Sequence, residues 1–216
     1  MAATRYAAAG MESEFQPGSR GRVLRNLLGI TRVREMEAVE SQALTAAQDA
    51  ALEIYGSEHR CTAADIRRLH RMWLGSIYPW AGNYRTVNVG KGGFQFAHAP
   101  LIPPLMAALG REELHRHTPC GRAANVSIAR SLADVHAELI LIHPFRDGNG
   151  RVARLLTLLM ASQAGLPPLK LTALAGGGKR GYVRAIHAAM SRDYAPLEKI
   201  FAFVIERTRR RASSST

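Results

Sequence analysis

The run His143-Pro144-Phe145-Arg146-Asp147-Gly148-Asn149-Gly150-Arg151-Val152-Ala153-Arg154 constrains this chain more than any other stretch of its 216 residues. Just before it, Ile128, Leu132, Val135, Leu139 and Ile142 recur at steps of three and four, which predicts a helix with one buried face. Pro144 pushes the preceding residue out of the α region, so that helix has to stop at His143. A second stripe, Val152, Leu155, Leu156, Leu159 and Met160, predicts another helix ending at Gly165, with Pro167 and Pro168 beyond. The fold must therefore hold two helices around one short turn rich in polar groups.

That turn carries a chemistry. Gly148, Asn149 and Gly150 lie at a helix N-terminus, where unpaired N–H groups and the positive dipole end attract an anion. Arg151 and Arg154 are three apart, hence on one face, and guanidinium forks suit phosphate oxygens. Asp147 beside bound phosphates requires a cation between them, which makes it a candidate Mg²⁺ ligand. His143, with an unperturbed pKa near ~6.5, is able to accept a proton from a hydroxyl. A metal held by His143 and Asp147 alone is disfavoured, because the Pro and Gly residues between them break the helix on which such spacing relies. An anion site without catalysis would need no histidine.

The residues 143–154 resemble the Fic signature, HPFx(D/E)GNGRxxR, at every specified position. The likeness extends to residues 77–88, similar to the segment leading to the Fic flap, to Lys91, Gly92, Gly93, Phe94, Gln95 and Phe96, similar to the flap itself, and to residues 17–31, so that it covers about 15–208. The resemblance implies an all-α Fic fold, a helical bundle with a small β-hairpin flap beside the active site. It also implies a protein adenylyltransferase, which moves AMP from ATP to a Tyr, Thr or Ser hydroxyl of a target protein and releases pyrophosphate. Carried over by position, His143 is the general base, Asp147 holds Mg²⁺, and Gly148, Asn149 and Gly150 form the anion hole, Asn149 also reaching the α-phosphate. Arg151 and Arg154 take the β- and γ-phosphates, Phe145 is a buried anchor, and residues 91–96 dock the target. Within the fold the alternative is transfer of another nucleotide or phosphate-containing group. A relative that phosphorylates has Lys at the position of Arg151, and one that transfers phosphocholine has Ala at the position of Gly148, so the residues here favour AMP.

Many Fic enzymes carry an inhibitory motif, (S/T)xxxE(G/N), whose Glu pairs with the second signature arginine. Here only Thr31-Arg32-Val33-Arg34-Glu35-Met36 comes near it, with Met36 at the last position. The expectation is that a small antitoxin-like protein supplies the glutamate in trans.

Elsewhere the sequence predicts a disordered segment at 1–20, a single domain at 21–208 and a basic, Ser-rich tail at 209–216. Thr31 is expected to cap a helix with Met36, Val39, Ala43, Ala46 and Ala50 on one stripe. Further helices are expected near 62–77, 101–109, 180–190 and 195–207, with a hairpin within 84–96. That hairpin can pair with an extended target segment through main-chain hydrogen bonds. His115, His117 and Cys120 read as a solvated loop, residues 176–180 as a connection rather than a phosphate loop, and His70 as structural. Cys61 and Cys120 give no disulfide framework, and no apolar run is long enough for a bilayer span. A cytoplasmic enzyme is expected, open to export as an effector by a dedicated secretion system. The net charge of +12 keeps a non-enzymatic nucleic-acid binder as the reading from another class, but no binding module or aromatic interleaving accompanies it.

Overall fold

The computed structural model describes residues 7–8, 14–122, 125–174 and 178–213. Among these, the helices are α1 (Val33–Ile54), α2 (Ala63–Leu74), α3 (Ile102–Leu109), the single turn α4 (His115–His117), α5 (Ile128–Ile142), α6 (Asn149–Gln163), α7 (Lys179–Ala189) and α8 (Ala195–Ser213). A π-helical turn, Gly110–Leu114, joins α3 to α4. The one sheet among the described residues is antiparallel, in the order β1 (Ala7–Ala8), β2 (Val89–Lys91), β3 (Phe94–Gln95). Gly90 pairs with Gln95 and Lys91 with Phe94, which leaves Gly92-Gly93 as the turn. Both glycines have positive φ, 57° and 81°, the combination a tight two-residue hairpin demands. The all-α expectation holds, with the hairpin shorter than 84–96.

α5 sits at the centre. Leu132, Ala133, Ala137 and Leu139 on it are fully buried, because α3, α6, α7 and α8 all pack against it. A helix covered on most sides reads as apolar around most of its circumference. α2 is amphipathic by contrast: Ile66, Leu69, His70, Trp73 and Leu74 share its buried face. Its start is fixed by a capping box, in which the Thr62 side chain accepts from the Asp65 N–H and the Asp65 carboxylate accepts from the Thr62 N–H.

Several boundaries differ from the sequence expectation. α1 begins after Arg32 rather than at Thr31, and no side chain caps it. Its buried face is Met36, Glu40, Ala47 and Ala51, whereas Ala46 is exposed. An apolar stripe cannot include a charged residue, so Glu40 was invisible to it. Residues 14–20 are not disordered: the Gln16 N–H donates to the Val23 carbonyl, Phe15 bridges Leu24, and Ser19 is buried. Ala7–Ala8 pairs with β2, and the rest of 1–13 lies outside the described residues. α8 runs on through Arg209, Arg210 and Arg211 to Ser213, so this part of the expected tail is helical. Residues 214–216 are outside the description, as are Gly176 and Gly177. Lys179, expected in a connection, opens α7. His117 and Cys120 are buried, not solvated, because α4 folds against α5. Cys61 and Cys120 are free thiols.

Candidate active site

α5 stops where Pro144 requires. His143 takes a left-handed conformation (φ 53°, ψ 59°), which turns the chain sharply out of the helix. The buried Arg85 guanidinium then satisfies the carbonyls exposed at that end: Nε donates to the His143 carbonyl at 2.8 Å, and Nη2 reaches the Ile142 carbonyl. Nη1 and Nη2 also donate to Val87 and Ala97, so one cation ties the helix C-terminus to both approaches of the hairpin.

The loop from His143 to Gly148 is held from below. Phe145 is fully buried and stacks on the His70 ring at 3.9 Å. The Gly82 N–H donates to His70 Nδ1 at 2.8 Å, so the proton of that ring sits on Nε2, which donates to the Asp147 carbonyl at 3.0 Å. Burial pushes His70 down to about 4, which keeps it in this neutral form. Asn149 locks the same loop: its Oδ1 accepts from the Phe145 N–H and its Nδ2 donates to the Phe145 carbonyl, both at 2.8 Å. It is fully buried and held by Phe145, with one Nδ2 hydrogen committed there and its backbone N–H at the start of α6.

Gly148 caps α6 with φ +84°, and a Cβ there would lie 2.6 Å from Trp73 Cζ3. Only glycine satisfies both the turn and the approach to the indole. Trp73 donates from Nε1 to the Glu40 carbonyl and carries the Arg151 guanidinium 4.3 Å above its ring. Glu40 completes this support, with Oε1 accepting from the Tyr78 hydroxyl at 2.7 Å and Oε2 held by Arg151 Nη1 at 2.5 Å. Arg151 Nη2 is buried without a hydrogen bond, 3.8 Å from the Asp147 carboxylate.

A cavity of about 720 Å³ opens over this loop. His143, Asp147, Gly148, Gly150, Arg151 and Arg154 line one side, and Lys91, Gly92, Phe94 and Phe96 of the hairpin line another. Gly93 and Gln95, the other two residues of the expected target-docking flap, are not among the lining. The third wall was not expected at all: Leu174, Lys179, Tyr182, Val183, Ile186 and His187, mostly on α7. Only a helical stripe in α7 is visible in the sequence, and nothing in it ties that helix to 143–154. Phe94 and Phe96, two apart on one strand face, stack on His187 and His143 at centroid distances of 5.2 and 3.6 Å.

His143 lies in this cavity as a neutral ring. Burial lowers its pKa to about 3, and nearby Arg85 and Lys91 act in the same direction. Its Nδ1 lies 3.0 Å from the Ile140 carbonyl, and a carbonyl only accepts, so Nδ1 carries the proton and Nε2 the lone pair. A base with its lone pair on Nε2, a helix N-terminus and two guanidinium groups thus share one concavity.

Residues 60–161 match the model of the Fic/DOC family. VbhT of Bartonella schoenbuchensis, named a protein adenylyltransferase, is 32% identical over 147 residues, 66% of this chain but 30% of that relative. Sinorhizobium fredii y4lH, whose name gives it as a probable protein adenylyltransferase, is 29% identical over 182 residues, 81% of this chain and 87% of its own length. This chain thus spans less than a third of VbhT and most of y4lH. Among solved structures, the N-terminal Fic domain of a VirB-translocated Bep effector from Bartonella quintana, with bound ADP, superimposes with a TM-score of 0.68 at 21% identity, covering 88% of this chain and 92% of that one. With the signature intact at 143–154 on the fold described above, these matches place this chain in the Fic/DOC family.

Proposed function

We propose that this protein transfers AMP from ATP to a hydroxyl side chain of a target protein. The observation that carries the reading is the tautomer of His143: Nδ1–H is held by the Ile140 carbonyl, and the proton-accepting Nε2 belongs to the cavity lined by Asp147, Gly148, Gly150, Arg151 and Arg154. The target oxygen attacks the α-phosphorus, its proton passes to His143 Nε2, and the bond from the α-phosphorus to the bridging oxygen breaks as pyrophosphate leaves. The start of α6, Arg151 and Arg154 stabilise charge on the leaving group. Nη2 of Arg151, buried and without a hydrogen bond, fits that role.

Asp147 fits a divalent cation: a single carboxylate beside a phosphate-binding helix terminus is the protein share that Mg²⁺ ordinarily takes. When bound, Mg²⁺ would neutralise the phosphates and orient them. The wall formed by Leu174, Val183, Ile186 and His187 offers apolar and ring surface for the nucleobase. β3 lies at the edge of the sheet among the described residues, and a target segment pairing there would bring its hydroxyl over His143.

We also propose restraint in trans by a small antitoxin-like protein, and a groove supports that reading. Beside Arg154, a groove of about 390 Å³ is lined by Leu44, Leu155, Leu158, Leu169 and Leu171, an apolar bed for a partner helix whose glutamate reaches that arginine. Glu35, the nearest residue to an internal brake, is solvent-exposed in the first turn of α1. Export as an effector accords with the VirB-translocated structural neighbours, and no helix among the described residues is long and apolar enough to cross a membrane.

The test uses ATP labelled at the α- or the γ-phosphate, with Mg²⁺ and a lysate. Covalent protein label from the α-position alone is expected. Label from the γ-position would instead assign phosphoryl transfer, and no label from either would remove the reading.

A further inference from the structure

The Glu113–His117–Asp134 cluster lies outside the nucleotide cavity, and from its geometry we propose a divalent transition-metal site of the Zn²⁺ class. His117 comes from α4, Glu113 from the π-helical turn before it, and Asp134 from α5, so the cluster joins three elements. The His117 imidazole is 2% exposed, and its Nε2 pairs with two carboxylates without reaching hydrogen-bond geometry to either.

The distances suit a ligand set as well as ion pairs. Glu113 Oε2 and Asp134 Oδ2 lie 3.2 and 3.3 Å from His117 Nε2. A charge-assisted N–H···O bond draws in to about 2.7–2.9 Å along the N–H axis. Donors around a tetrahedral ion at about 2.0–2.1 Å are separated by about 3.3–3.4 Å, close to both distances from His117 Nε2, and all three donor atoms lie within 4.8 Å of one another.

The outer partners suit the same reading. Nδ1 of His117 is 3.1 Å from the buried Ser131 hydroxyl, which orients the ring and leaves Nε2 as the atom facing the carboxylates. Asp134 spends its other oxygen, Oδ1, on Arg130 Nε at 2.6 Å, so Oδ2 is oriented toward the cluster. The Glu113 side chain is 18% exposed against 1% for His117, which supplies an entry path and room for water as a fourth ligand. One imidazole and two carboxylates suit Zn²⁺, with Mn²⁺ or Fe²⁺ as weaker competitors, better than Mg²⁺ or Ca²⁺, which take oxygen ligands. Bound there, the ion would clip the π-helical turn to α5, the helix that ends at His143.

The experiment uses the full chain and reads metal content and stability, neither of which depends on AMP transfer. The protein is loaded with Zn²⁺, dialysed into metal-free buffer and measured by plasma mass spectrometry, then melted with and without chelator. A single retained ion per chain, a Tm several degrees higher with Zn²⁺, and loss of both in Glu113→Gln and Asp134→Asn are expected. Asp134→Asn also weakens the Arg130 contact, so Glu113→Gln, on a partly exposed side chain, decides if the former fails to fold. No stoichiometric ion in the wild type, or equal retention in folded Glu113→Gln, overturns the site and leaves a cluster held by a proton alone.

Discussion

At the scale of single residues, the site depends on groups that fix other groups. His143 owes its lone pair at Nε2 to the Ile140 carbonyl, and the turn after it is held by His70 and Asn149. Gly148 shows how little tolerance this leaves. Alanine there meets both a φ of +84° and the Trp73 ring 2.6 Å away, so Gly148→Ala is expected to cost about 1–3 kcal/mol of stability and to lower nucleotide turnover by more than that loss of folded protein explains. Urea unfolding beside activity corrected for folded fraction checks it. A variant with wild-type stability and turnover would show that the turn has slack. The residues proposed for the chemistry were legible because they are contiguous in sequence. Glu40 was not: it meets Arg151 across 111 positions, and a carboxylate in a helical stripe looks like a solvated face until that partner is known.

At the scale of elements, helices announced themselves wherever burial is one-sided. α5 and α6 follow from their stripes, and α2 from its stripe and the Thr62–Asp65 capping box. α1 was misphased because its alanines carry little information about burial, and exposed Ala46 reads the same as buried Ala47. The hairpin was legible from its glycines, although pairing is confined to the residues flanking Gly92-Gly93. α7 was legible as a helix but not as a wall of the site. Its place beside Phe94 and Phe96 comes from packing against α5 and α8, which a single sequence does not reveal.

At the scale of the whole molecule, three histidines are buried as neutral rings. Burial holds His70 at about 4 and His136 and His143 at about 3, against about 6.5 in the unfolded chain. Between those values the unfolded state binds protons that the folded state refuses. Stability is therefore full above pH ~6.5 and lost as pH falls toward ~4, by up to about 1.4 kcal/mol per pH unit for each ring. Urea midpoints that decline from pH 7 to 4.5 are expected, and midpoints that stay flat or rise would mean that the rings take protons in place. His143, one of these rings, also carries the central claim, that its neutral form is the base for AMP transfer. The most direct test measures covalent label from α-labelled ATP for wild type and His143→Ala, with ATP affinity determined beside it. The expected result is a loss of transfer of about 10²–10⁴-fold at nearly unchanged affinity, because the proposed phosphate contacts belong to α6, Arg151 and Arg154. Near-normal transfer by a folded, ATP-binding His143→Ala protein would contradict it.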